Sequence, residues 1–187
     1  MDRKVYCLYG QTGHENLFIR DLQRMGYTAY SPSVEKVRPV KDGTGTRLVR
    51  TRLLPGYVFF EGEEEPTWAE MRHIDHVYRL LTYGDGTKAL YGKDLEFVNW
   101  LRLHQGIIEV TKVIKEGTKI RFVSGPLCDM DVKVLKVNKS RRQVQVGIDS
   151  ENSVLSTMWC AIEYLQENAD LDKLMHDEKE EQHENKN

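Results

Sequence analysis

Apolar positions along the first hundred residues switch between a period of two and a period near 3.6. Val5–Tyr9 (VYCLY) is an unbroken run of strand formers and predicts a buried first strand. Phe18, Leu22 and Met25 then recur at helical spacing beside Leu17, and Gly26 supplies a stop, so a helix packed on a sheet follows. YTAYSP returns as a strand ending at Pro32. EKVRPV and TRLVRTR flank KDGTG, whose Asp-Gly step predicts a hairpin tip. After Pro55-Gly56, YVFFE reads as a strand. Pro66 opens a short helix with Trp68 and Met71 on one face. VYRLLTYG is a further strand, and Leu95, Val98 and Leu101 mark a last helix. Residues 1–106 thus predict an α/β sandwich, helices on a small, mainly antiparallel sheet.

The period then becomes two. Residues 107–117 (IIEVTKVIKEG) read as a linker, with an ordered strand as the alternative, into residues 118–165, where KIRFV, DVKVLKV, QVQVGI and VLSTMWCAIEYL are short strands split by turn-like segments. In DVKVLKV the valines are expected to point inward and the lysines outward. This spacing predicts a small β-barrel, and an α+β chain overall. Residues 166–187 carry eight acids and three lysines and hardly an apolar group, which predicts a disordered acidic tail.

Net charge is −2, which argues against bulk electrostatic binding of nucleic acid, but the tail hides a positive remainder. Lys36, Arg38, Lys41, Arg47, Arg50 and Arg52 face only Glu35 and Asp42, so the hairpin is either a phosphate-binding arm or a solvated basic one. Lys133, Lys136, Lys139, Arg141 and Arg142 give the second lobe a similar choice: an RNA-contacting face, or the polar side of a barrel. Cys7, Cys128 and Cys160 lie far apart with no CxxC spacing, which suits three core thiols in a reducing compartment. No apolar run approaches the roughly 18 residues of a membrane span, and the N-terminus lacks a leader pattern, so a cytoplasmic protein is expected. His73 and His76 stand three apart without further ligands at metal spacing, and no nucleophile or phosphate-loop motif occurs. We therefore expect no enzyme, no cofactor and no metal.

Leu53–Phe60 (LLPGYVFF) places a tight turn beside many large apolar groups. It resembles the strand signature of NusG-type transcription elongation factors. YCLYGQTGHEN is similar to that family's first strand and turn into helix one, with Val5 where tryptophan is usual. Trp68 and VYRLLTYG fit as well, and VSGPLCDMDVKVLKVNKSRRQVQVGI resembles the KOW motif of the family's small barrel. Val132 stands where that motif has glycine, and DSENS lacks the general factor's loop pattern. These departures, the basic glycine-rich arm and the overall length resemble specialised paralogues of the LoaP or RfaH type.

The resemblance implies an N-terminal (NGN) domain that docks the clamp helices of the RNA polymerase β′ subunit, suppressing pausing and termination at selected operons. Tyr9, Leu54, Tyr57, Phe59 and Tyr83 match its contact positions. Strand alternation makes Tyr57/Phe59 the expected contact pair and Val58/Phe60 the core pair. Specialised paralogues are recruited by a nucleic-acid element, here a leader RNA hairpin or nontemplate DNA. His14, Arg20, Arg24, Arg72 and His73 are the expected readers, aided by the arm. Ribosomal or Nus-type factors are further expected partners of the barrel, and the chain is expected to be a monomer. A ribosome-associated or general RNA-binding KOW protein is the alternative. One relative refolds its barrel into a helical hairpin; β-branched density in VKVLKV and QVQVGI favours the barrel here.

Overall fold

The computed structural model describes residues 3–41, 43–117, 119–148 and 157–165. In chain order the first half runs β1 (Lys4–Gly10), α1 (Glu15–Arg24), β2 (Thr28–Tyr30), β3 (Ser33–Pro39), β4 (Thr46–Arg52), β5 (Tyr57–Gly62), α2 (Trp68–Met71), β6 (Val77–Leu80) and α3 (Gly92–Leu103). Four strands form an antiparallel sheet of order β2-β5-β1-β6. Side chains alternate across it. Tyr6, Leu8, Val58 and Phe60 face one way and are sealed by Phe18 and Leu22 of α1 and Met71 of α2. Val5, Cys7 and Phe59 face the other way and meet Val98 and Leu101 of α3. Burying each large apolar side chain stabilises the lobe by about 1.5–3 kcal/mol, which fixes the register of the pair β1–β5.

Two helical expectations change. Met25 lies beyond the end of α1 and is exposed, as is Trp68 at the start of the one-turn α2. Only Met71 of that turn reaches the core. α2 is held instead by reciprocal bonds. The Thr67 hydroxyl accepts the Glu70 amide at 3.3 Å, and the Glu70 carboxylate accepts the Thr67 amide at 2.8 Å.

The basic hairpin β3–β4 stands apart from the main sheet and is joined along β3 by the short parallel strand β7 (Ile107–Ile108). The chain continues through β8 (Thr111–Glu116), β9 (Lys119–Ser124), a 3₁₀ turn (Pro126–Asp129), β10 (Lys133–Asn138), β11 (Gln143–Gly147) and β12 (Thr157–Tyr164). The stretch expected as a linker therefore carries two strands, because Ile108, Val113 and Ile114 are apolar enough to be buried. β8 pairs in parallel with β12, giving a curled sheet of order β10-β11-β12-β8-β9, a half-barrel. The chain is thus α+β, a sandwich of helices on a small antiparallel sheet followed by a curled five-stranded sheet.

Along β11, Val144 and Val146 point inward as their alternation requires. β10 departs from the expected pattern. Its register slips between Val134 and Lys136, and Val134 and Leu135 are exposed. β10 is an edge strand, and a bulge there frees its side chains from the two-residue rule. Cys128 is also exposed, whereas Cys7 and Cys160 are buried. The expected tail, residues 166–187, lies outside the described residues.

One continuous core joins the lobes: Phe97 and Trp100 of α3 belong to the same cluster as Val113 and Leu127. The Trp100 indole N–H donates to the Pro126 carbonyl at 3.2 Å. Among the described residues no helix is long and apolar enough to cross a membrane.

Candidate docking face and basic surfaces

The Pro55-Gly56 turn is built around a buried carboxylate. Gly56 has φ +85°, and a Cβ there would lie 2.6 Å from the Gly10 carbonyl oxygen, so only glycine fits. The Gly10 amide donates to the Gly56 carbonyl at 2.9 Å. Glu15, at the start of α1, accepts the Gly56 amide at 2.6 Å and the Gly13 amide at 3.0 Å. Burial works to raise the Glu15 carboxyl. The amides of Gly56, Glu15 and Gly13 and the Arg52 guanidinium outweigh it and hold the group below the usual carboxylate range. A helix N-terminus is a favourable place for this charge.

The turn delivers β5 beside an open hollow. α3 covers only part of its sheet face, and the uncovered part is a depression of about 710 Å³. Leu54, Tyr57, Phe59 and Tyr83 all line it, with Cys7, Leu90 and Val98 among its other walls. Tyr9, the fifth expected contact, stacks on Tyr57 with ring centroids 4.7 Å apart, and the Arg79 guanidinium lies 5.3 Å from the Tyr9 ring centre. Tyr78 extends the aromatic row, 5.9 Å from Tyr9 and largely exposed.

The expected contact pair is split. Tyr57 and Phe59 share a face, but Phe59 is only 4 % exposed, because that face also carries α3. Phe59 is floor, packed near Tyr30, and Tyr57 is rim. Leu54 is buried as well. Tyr91 was missed by the sequence reading. It is half exposed and its ring lies 4.2 Å from that of Tyr83. The Tyr83 hydroxyl donates to Asp94 at 2.8 Å. Burial, and then that carboxylate, push its pKa above the normal tyrosine range. Cys7, in the floor, is likewise pushed up by burial, and its thiol forms part of the apolar wall.

The expected nucleic-acid readers fall into three groups. His14 at the start of α1 stacks on His76, rings 4.3 Å apart. Arg20 and Arg24 both pair with Asp21, at 3.0 and 3.1 Å, so their charge is partly spent locally. Arg72 and His73 are exposed just after α2, on the same side of the sheet as α1.

The second group is the arm. Arg38 and Arg47 stand directly opposite each other across β3 and β4, and Lys36 faces Val49. Arg50 is tied to Glu35 at 3.1 Å. Arg52, at the base, donates to Asn16 and to the Ser31 carbonyl. Lys41 is exposed near the tip.

The third group lies on the second lobe: Lys133 and Lys136 on β10, and Lys139, Arg141 and Arg142 in the turn that follows. Asn138 caps that turn by accepting the Arg141 amide at 3.0 Å, and Arg142 takes φ +49°. The arm and this turn are brought to one cleft of about 370 Å³, to which Arg47, Lys112 and Arg142 contribute cations and Glu35, Glu109 and Glu163 carboxylates. Sequence spacing carried no sign of this approach, since Arg47 and Arg142 are far apart along the chain.

The family model described as transcription termination factor NusG matches residues 3–96, half of the chain. The transcription termination/antitermination protein NusG of Thermus thermophilus is 28 % identical over 123 residues, covering 61 % of this chain and 67 % of that protein. A solved structure reported as domain interaction in Thermotoga maritima NusG is similar at a TM-score of 0.49 and 20 % identity, over 85 % of this chain and 92 % of that one. The matched span holds β1, the buried Glu15, the Pro-Gly turn and the aromatic rim, and on it the chain belongs to the NusG family of transcription termination and antitermination factors.

Proposed function

We propose that this chain is a processivity and antitermination factor whose N-terminal lobe docks on the clamp helices of the RNA polymerase β′ subunit. The supporting observation is the aromatic-rimmed depression beside the Pro-Gly turn. Tyr9, Tyr57, Tyr83 and Tyr91 offer large ring area at modest entropy cost, over a floor of Leu54, Phe59 and Leu90. Arg79 and Asp94 on the walls give a helical partner one charge of each sign to register against. A role confined to RNA binding by the KOW-like lobe would leave this hollow without a use. Holding the clamp closed suppresses pausing and termination, and recruitment by an RNA hairpin or nontemplate DNA restricts the action to selected operons, in the manner of LoaP or RfaH.

Immobilised chain is expected to retain core RNA polymerase and to raise read-through of an intrinsic terminator in a purified transcription system. Absence of both effects sinks the reading.

For recruitment, the arm and the 139–142 turn are the phosphate-binding elements. Arg38 and Arg47 are the favoured members, since like charges held opposite one another are costly without an anion between them. Alanine at Lys36, Arg38, Lys41 and Arg47 is expected to weaken binding and to reduce the log–log salt slope by about 1–3. An unchanged slope moves the contact elsewhere.

A further inference from the structure

The aromatic-rimmed hollow holds two charges, and only one of them is already engaged by a polar group. Its lining includes a single cation, Arg79 on β6, and a single carboxylate, Asp94 on α3. Asp94 accepts the Tyr83 hydroxyl at 2.8 Å. Arg79 makes no ion pair among the described residues, whereas Arg20, Arg24, Arg50 and Arg102 of the same lobe all do. Its guanidinium lies over the Tyr9 ring instead, 5.3 Å from the ring centre.

The sheet register explains this placement. Tyr9 of β1 pairs with Tyr57 of β5 on one side and with Arg79 of β6 on the other. The three therefore project from the same face of the sheet, and Arg79 does so from an edge strand. A cation–π contact uses one face of the planar guanidinium and none of its in-plane N–H groups, so the fork of donors stays available to a carboxylate. The side chain is exposed in the free chain and its charge is hydrated there. A segment seated in the hollow strips that hydration, and a cation desolvated without an opposite charge is strongly disfavoured. An occupant that covers the hollow has to bring an acid to Arg79 or be rejected.

We infer that Arg79 is a specificity-determining residue of the docking hollow, and that the helix it receives carries an Asp or Glu beside its apolar stripe, placed to pair with this guanidinium. The inference rests on the clamp-helix reading above and adds to it the chemistry of the partner. Apolar contact with Tyr57 and Tyr91 supplies area without choosing among amphipathic helices, since any aliphatic stripe satisfies it. The guanidinium does choose. It offers two parallel N–H bonds to a carboxylate, repels a lysine or arginine at the same place, and is left unpaired by an apolar side chain. Arg79 and Asp94 act with opposite sign on the Cys7 thiol in the floor, so both wall charges stand close to the seat of the helix.

The test measures binding of core RNA polymerase to the full chain carrying Arg79→Lys, Arg79→Gln or Arg79→Glu. It is repeated with polymerases in which each acidic residue of the β′ clamp helices is replaced in turn by arginine. Affinity is expected to fall in the order Arg79→Lys, Arg79→Gln, Arg79→Glu, the last at least about 10-fold below the parent at low salt, and the loss is expected to shrink as salt rises. One acid-to-arginine change on the clamp helices is expected to weaken the parent chain and to restore the Arg79→Glu chain. Melting temperatures of the three variants are expected to stay near the parent's, because the side chain is exposed. Full affinity of Arg79→Glu overturns the inference. So does a loss that no reversal on the clamp helices restores, since a role confined to holding Tyr9 does not respond to the partner's charge. If Tyr57→Ala with Tyr91→Ala still releases polymerase in either case, the hollow reading stands and the Arg79 inference alone fails. A parent chain that binds no polymerase overturns both.

Discussion

Tyr57→Ala combined with Tyr91→Ala is expected to weaken binding of RNA polymerase about 100-fold, or about 2.7 kcal/mol, while lowering stability by no more than about 1–2 kcal/mol. Phe59→Ala is expected to do the reverse in order of cause. It leaves a hole under α3 and costs about 3–5 kcal/mol of folding, so any loss of binding follows from the damaged fold. The contrast comes from position in the hollow. Tyr57 and Tyr91 are rim rings with a solvated edge, and Phe59 is sealed floor. Calorimetry and polymerase binding on the same preparations separate the two effects. Unchanged affinity in the rim variant, with its melting temperature preserved, removes the hollow from the binding surface.

The second large effect concerns the turn. Gly56→Ala is expected to destabilise the chain by at least about 3 kcal/mol, because the new Cβ meets the Gly10 carbonyl oxygen in a backbone conformation alanine rarely adopts. Glu15→Ala removes the acceptor of the buried Gly56 amide and is expected to cost about 1–3 kcal/mol. The two changes share one hydrogen bond, so their combination is expected to fall short of the sum.

Acid gives an independent check. The folded-state pKa of Glu15 is below its unfolded value near 4.3, so its contribution is complete above about pH 5 and is lost as pH falls through the folded pKa. Urea titrations at several pH values are expected to show Glu15→Gln flattening the acid limb of the stability curve. A limb identical to that of the parent chain would mean that the carboxylate is not held as described.

Much of this was legible in one dimension. VYCLY, the Phe18/Leu22 spacing, the Pro-Gly break and the period-two valines of QVQVGI each report a local geometry, since the face a residue presents follows from its place in a strand or helix. The shared face of Tyr57 and Phe59 came from that alternation, and the resemblance in LLPGYVFF named the residues around the hollow. What alternation does not report is what lies across the face. The helix with Val98 comes some forty residues later and covers Phe59 but not Tyr57. Tyr91 was passed over for the same reason, since nothing local pairs it with Tyr83. Val134 and Leu135 escaped the pattern because an edge strand with a bulge lacks the second neighbour that enforces it.

From its amino-acid order alone the chain settled its two-lobe α+β architecture, its buried strands, the glycine-dependent turn and the places where positive charge is dense. The folded molecule decided which rings remain at the surface, that a glutamate beside helix one clamps the turn, and that cations from both lobes share one cleft. Local preferences act over a few residues and are written in spacing. Coverage and convergence depend on contacts between segments distant in sequence, and those exist only once the core that joins them has formed.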